Sequence, residues 1–471
     1  MAAPLVVSTC FWTIMTFTDR MFLLWYSNAA MAAALPAGLV SFTVLCFPFG
    51  LVAYISTFVA QYYGAGVPER VGLITWQGLW ISLAAAPFVL ATVPLAPWIF
   101  AWSGHGSEIA ALEVEYYCVL AYGAGGTLIA TTLSAFFTGL SRTSVVMVID
   151  AIAATLNAVL DYAWIFGQWG FPRWGIAGAA WATVVAQWCA AGMYLAVMYS
   201  PRYREAYHIR GGCRLDRALL KRLLYFGSPS GLQLLIEVGA FTLFLLVVGR
   251  LGEIPLAATN LAFNINTLAW LPMLGVGMAV STMVGQQLGR NDADLAARVA
   301  WTAAVISLGY MTVVAVLYAC VPDLFLLGHA VGMSAQRFAS VRDLAVVLLR
   351  FVALYCFFDA LNLVFSSAIK GAGDTRFVLA TAAVLSPVPL VASWVGVQGF
   401  GAGILWCWCA VTFWVCALGI VYFARFLQGR WRTMRVIEQE ILNQRTPPGL
   451  PLPAAFPVAA REAIVEIGLK E

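Results

Sequence analysis

An all-α integral membrane protein with twelve transmembrane helices in two six-helix lobes is the fold this sequence predicts. Three observations predict it. The chain of 471 residues is 62% hydrophobic and only 10% charged, where a soluble protein carries about 25% charge. Apolar runs long enough to cross a bilayer recur along almost its whole length. Two of its segments repeat each other at a fixed offset.

The runs number twelve, at roughly 4–26, 33–62, 73–101, 109–139, 145–168, 175–199, 224–249, 256–288, 299–326, 341–369, 377–397 and 401–426. With no water in the bilayer core, a spanning segment satisfies its own backbone only as a helix. The first run lacks a basic n-region and an Ala-x-Ala-like site and carries Asp19, so it reads as a retained helix rather than a leader. Basic residues follow the even-numbered helices: Arg70, Arg142, Arg290 and Arg298, Lys370 and Arg376. The richest loop, after helix 6, holds Arg202, Arg204, Arg210, Arg214, Arg217, Lys221 and Arg222. The positive-inside bias therefore puts both termini in the cytoplasm of a multi-pass protein of the cell's inner (plasma) membrane.

The repeat appears on shifting the chain by 225 residues. Gly50, Ser56, Thr57, Val59, Gln61 and Gly64 then match Gly275, Ser281, Thr282, Val284, Gln286 and Gly289, six identities in fifteen positions. A second echo, at an offset of 232, pairs Ser134, Gly139 and Thr143 with Ser366, Gly371 and Thr375. The organisation that follows is an N-lobe at 1–199, a basic linker at 200–223, a C-lobe at 224–430 and a tail at 431–471 whose Pro-rich stretch from Thr446 is expected to be disordered. An even number of helices per repeat gives both lobes the same orientation, with a pseudo-twofold along the membrane normal, as in parallel-repeat transporters that rock about a central cavity.

Four carboxylates stand inside apolar helices: Asp19, Asp161, Glu237 and Asp359. Each costs about 2.5–3.5 kcal/mol at mid-membrane depth on insertion scales, so such residues usually serve an ion, a proton or a substrate. Asp19 lies 15 residues beyond Pro4, about 22 Å along its helix, and Asp161 is at a similar depth in helix 5. Asn157 precedes Asp161 by one turn on the same face. Glu237 is about 20 Å from the inner end of helix 7, and Asp359 follows Tyr355 by one turn in helix 10. Carboxylates with neutral oxygen neighbours suit a hard cation, and a close pair can also trade a proton. The sequence leaves Na⁺ and H⁺ both open. Zinc-spaced His/Cys clusters, a Walker A sequence and an enzyme-like nucleophile are missing. The expectation is therefore a transporter without cofactor, not an enzyme, driven by an ion gradient.

These residues resemble a family. Phe17-Thr-Asp19-Arg-Met-Phe, Phe58-Val-Ala-Gln61-Tyr-Tyr-Gly64, Leu156-Asn157-Ala-Val-Leu-Asp161-Tyr162, Trp174-Gly-Ile-Ala-Gly178 through Thr183, Met283-Val-Gly-Gln286-Gln-Leu-Gly289, Leu354-Tyr355 with Asp359, and Lys370-Gly-Ala-Gly373-Asp374-Thr375 stand in the order and spacing of a multidrug and toxic compound extrusion (MATE) transporter, over roughly residues 4–430. The resemblance implies export of organic cations and amphipathic drugs in exchange for Na⁺ or H⁺, by a monomer. It implies an N-lobe site at Asp19, Asn157, Asp161 and Thr183, a C-lobe cation site at Glu237, Tyr355 and Asp359, and a hinge at Pro4. The second-lobe set resembles the NorM-like branch, which favours Na⁺ held by Glu237 and Asp359. Trp12, Phe17, Tyr54, Tyr62, Phe263 and Trp270 are candidate aromatic contacts for the substrate. The competing function is a lipid-linked oligosaccharide flippase or another solute carrier, whose cavity would need several Arg or Lys for pyrophosphate.

Overall fold

A computed structural model describes residues 2–101, 106–326 and 335–438, with the side chains of 335–338 left aside; the Pro-rich stretch from Thr446 lies outside the described residues. The described chain is helical almost throughout. Its spanning helices are α1 (Ala2–Tyr26), α2 (Asn28–Gly64), α3 (Pro68–Ala101), α4 (Ser107–Tyr122 continuing as Ala124–Gly139), α5 (Thr143–Phe166), α6 (Ile176–Met198), α7 (Arg217–Gly249), α8 (Glu253–Gly289), α9 (Ala293–Cys320), α10 (Ala335–Ala372), α11 (Thr375–Phe400) and α12 (Ile404–Leu427). Ten of these are long and apolar enough to cross a bilayer by themselves, and α4 is an eleventh, bent by 47° at Gly123. The twelfth, α1, is 25 residues long; Thr9, Thr13, Thr16, Thr18, Asp19 and Arg20 dilute its apolar character.

Most helices run several residues past their apolar runs, because capping and polar end residues continue the backbone pattern. The Asp216 carboxylate accepts from the amides of Ala218 and Leu219 at the start of α7, and Asp292 accepts from Leu295 at the start of α9. Pro4 stands in the first turn of α1, where proline removes no intrahelical bond. Its counterpart 225 residues on, Pro229, lies inside α7.

The lobes meet through repeat-related helices. Helix α1 packs on α8 as α2 packs on α7, and α2 meets α8 across the pseudo-axis. Several identities of the two sequence echoes lie at this seam and face each other. Gln61 Nε2 donates to the Gly371 carbonyl at 2.9 Å, and Gln286 Nε2 donates to the Gly139 carbonyl at 2.8 Å. A Cβ on Gly64 would lie 2.1 Å from the Gln286 carbonyl oxygen, and one on Gly289 would lie 2.2 Å from that of Gln61. Only glycine lets the backbones come so close.

The assigned tail does not leave the bundle at 431. Trp431, Val436 and Ile437 are buried. The Val436 amide donates to Gln61 Oε1 at 2.9 Å, and Arg222 donates to the carbonyls of Val436 and Ile437. Apolar side chains at 431, 434, 436 and 437 explain the packing; the arginines among them masked it in the sequence.

Candidate functional site

The packing of α1 on α5, and of α5 on α6, brings the N-lobe residues together. Asp19 is 8% exposed, and Asp161 and Asn157 are fully buried. The Asn157 amide donates to Thr183 Oγ1 at 3.4 Å, and the Thr183 hydroxyl reaches Asp19 Oδ2 at 3.5 Å and its own-helix Ala179 carbonyl at 3.2 Å. One hydroxyl proton cannot serve both acceptors fully. The Asp19 and Asp161 carboxyl groups face each other at hydrogen-bonding range. Asp19 Oδ1, both oxygens of Asp161 and Asn157 Oδ1 are buried without a donor among the described residues. Acceptor therefore meets acceptor in a dry place, an arrangement that calls for a proton or a cation between them. Arg20, the sequence neighbour of Asp19, is exposed and forms no ion pair with it among the described residues.

The C-lobe residues are arranged otherwise. Glu237 is half-buried on α7 and accepts from Gln233 Nε2 at 2.9 Å, while Lys370 Nζ donates to Gln233 Oε1 at 3.2 Å. The glutamine thus bridges a carboxylate to an ammonium. Asp359, 8% exposed, lies beside Asn362 on its own helix, with buried Tyr355 a turn away. No contact joins Glu237 to Asp359 among the described residues in this conformation. Of the candidate aromatics, Tyr54 and Tyr62 are buried, and Tyr54 donates to the Lys370 carbonyl at 2.8 Å. Phe263 stacks on Trp408 with centroids 4.9 Å apart. Trp12 and Phe17 are exposed on α1.

Sequence reasoning missed Gln233 and Lys370. Lys370 was counted among the basic residues that orient the chain, though its place eleven residues after Asp359 on one helix was visible. It also missed Asp150, a further acid within an apolar run of α5.

The pattern of the MatE family matches residues 4–163 and 229–395, more than half of the chain. The chain belongs to the MatE family. It is 29% identical over 439 residues to a probable multidrug resistance protein NorM of Bradyrhizobium diazoefficiens, covering 92% of each protein. It is also 29% identical over 447 residues to one of Pseudomonas putida, covering 93% and 94%. The fold matches an outward-facing multidrug resistance MATE transporter of the MOP superfamily with TM-score 0.82 at 19% identity, over 95% and 96% of the two chains. It matches a MOP superfamily transporter from Pyrococcus furiosus with TM-score 0.81 at 20% identity, over 92% and 96%. The twelve-helix, two-lobe MATE architecture expected from the sequence is the one observed.

Proposed function

We propose that this MATE protein is a secondary antiporter that exports organic cations or amphipathic drugs in exchange for an inward-moving cation, with the basic loops and both termini in the cytoplasm. The observation that carries the reading is the set of four buried acceptor oxygens without donors on Asp19, Asn157 and Asp161. A proton on the carboxyl pair, or a small cation among these oxygens, supplies the missing positive charge. A cationic drug competes for the same charge, so loading one releases the other, and the two lobes rock to expose the site alternately. That the relatives are named as probable multidrug resistance proteins NorM supports drug export.

A second coupling reading, Na⁺ held by Glu237 and Asp359, is favoured by two carboxylates and Tyr355 in one lobe. It requires α7 and α10 to bring those acids closer than they are here. Purified protein in vesicles loaded with a cationic dye tests both. Export that responds to a pH gradient alone supports the first lobe, and export that needs a Na⁺ gradient supports the second. Dye movement indifferent to either gradient would refute antiport.

A further inference from the structure

Asp150 is not used by the reading above, yet its surroundings copy the outer cluster. It stands on α5, where the Tyr194 hydroxyl of α6 donates to its Oδ1 at 2.7 Å and the Ser8 hydroxyl of α1 donates to its Oδ2. The outer cluster uses the same three helices: Asp19 on α1, Asn157 and Asp161 on α5, Thr183 on α6. The register is shared as well. Ser8 is eleven residues from Asp19, Asp150 eleven from Asp161, and Tyr194 eleven from Thr183, each time toward the end that carries the basic loops. Eleven residues are three helical turns and return to the same face, about 16 Å along. The buried side chains between the layers include Ala153 and Ala154 of α5, Ala190 and Ala191 of α6, and Met15 of α1.

We propose that Asp150, held by Ser8 and Tyr194, is a second proton station of the first lobe, through which the coupling proton passes between the Asp19–Asp161 pair and the solution on the basic-loop side. The proposal rests on the reading of the outer pair as the coupling site. The transfer conserves charge: an O–H bond of the outer carboxyl pair breaks, an O–H bond forms on an Asp150 oxygen, and the proton then leaves to water. A gap of three turns is too long for a direct hop, so water must enter the α1–α5–α6 seam when the lobes open toward that side. The buried alanines of α5 and α6 leave little bulk for that opening to move apart. The groups facing Asp150 from the packed helices are Ser8 of α1 and Tyr194 of α6, with Ser134 of α4 beside the tyrosine hydroxyl. No Lys, Arg, His or second carboxylate contacts it among the described residues, so a change at Asp150 is not masked by a neighbouring charge.

The test is initial dye export by the full chain in vesicles, measured against pH on the basic-loop side, with dye affinity and melting temperature recorded for each variant. Asp150→Asn is expected to slow proton-driven export about tenfold and to flatten its pH profile, with dye affinity unchanged, and Asp150→Glu to restore the profile. Ser8→Ala and Tyr194→Phe keep the carboxylate and remove its donors. They are expected to displace the midpoint of the profile, and they decide the matter if Asp150→Asn does not fold. A wild-type rate and profile in Asp150→Asn, or in both hydroxyl variants where it does not fold, overturns the station even if melting temperature falls, since that is the signature of helix packing alone. Asp19→Asn separates the two readings. Loss of export there with an unaffected Asp150→Asn sinks only the station, whereas retained export in Asp19→Asn sinks the coupling site on which it rests.

Discussion

The two lobes share a scaffold and differ in what they do with their acids. At the seam the repeat is kept in its close contacts: Gln61 with Gly371 mirrors Gln286 with Gly139, and Gly64 mirrors Gly289. In the lobe interiors it is not. The first lobe presses two carboxylates together with no ion pair to either among the described residues, and the second separates Glu237 from Asp359 and ties Glu237 through Gln233 to Lys370. If the lobes rock as proposed, the seam closes the same way from either side, which favours symmetry there. A site that binds and releases charge gains from imbalance, because the lobe with orphaned acceptors is the one that an arriving cation stabilises.

The largest effect should come from removing that imbalance. Asp161→Asn replaces one of two opposed acceptors with an amide that can donate to Asp19. Gradient-driven dye export is expected to fall to background. Melting temperature is expected to rise, by the equivalent of about 1–2 kcal/mol, as a buried unmet acceptor becomes a hydrogen bond. Function and stability thus move in opposite directions, as at other strained sites. A variant that loses stability and keeps export would show the pair to be structural.

How much of this was legible in the sequence depends on residue type. Asp19, Asp161, Glu237 and Asp359 announced themselves because a charge in an apolar run needs a reason. The seam was legible because a polar Gln is rare in a membrane helix, so its repetition at 225 among matching Ser, Thr and Gly stands out, and Gln61 and Gln286 are residues that meet the opposite lobe. What stayed hidden were pairings set by side-chain reach. Helical depth put Glu237 and Asp359 at comparable levels, but it could not show that Gln233 and the flexible Lys370 stem would come together at Glu237. Asp150 lies only seven residues inside α5, where an acid reads as interfacial; the eleven-residue register to Asp161 was the available signal. The buried segment ending at Ile437 was obscured by Arg430, Arg432 and Arg435 around its apolar anchors.

A smaller effect should sharpen the contrast in the second lobe. If Lys370 balances Glu237 through Gln233, Lys370→Met leaves the glutamine carbonyl unmet and the carboxylate without its counter-charge. The expected cost is about 1–3 kcal/mol of stability. In an Glu237→Gln background the same change should cost about 1 kcal/mol less, since contacting residues couple by that order. Denaturation of the two single variants and the double variant closes the cycle. Additive losses would mean that Lys370 and Glu237 do not sense each other, and the second lobe would then have two independent acids available to a cation.

The smallest effect tests where the seam itself departs from symmetry. Both glutamines donate to a carbonyl of the opposite lobe, but their other contacts differ. Gln61 Oε1 also accepts from the buried Val436 amide, whereas Gln286 Nε2 reaches Ser141 Oγ at 2.7 Å. Ser141 is half-buried, so its hydroxyl can turn to water when Gln286 is lost. The Val436 amide has no such recourse. Gln61→Ala should therefore destabilise by about 1 kcal/mol more than Gln286→Ala, the usual penalty for one further buried group left without a partner. The loss should also loosen the C-terminal segment, because apolar packing and the hydrogen bonds from Arg222 would then hold Val436 and Ile437 without the glutamine. Melting temperatures of the two variants, with the rate of proteolysis after residue 430 as a second measure, check both expectations. Equal melting temperatures together with unchanged proteolysis would show that the segment adds nothing to the seam, and that the two glutamines are equivalent in energy as they are in sequence.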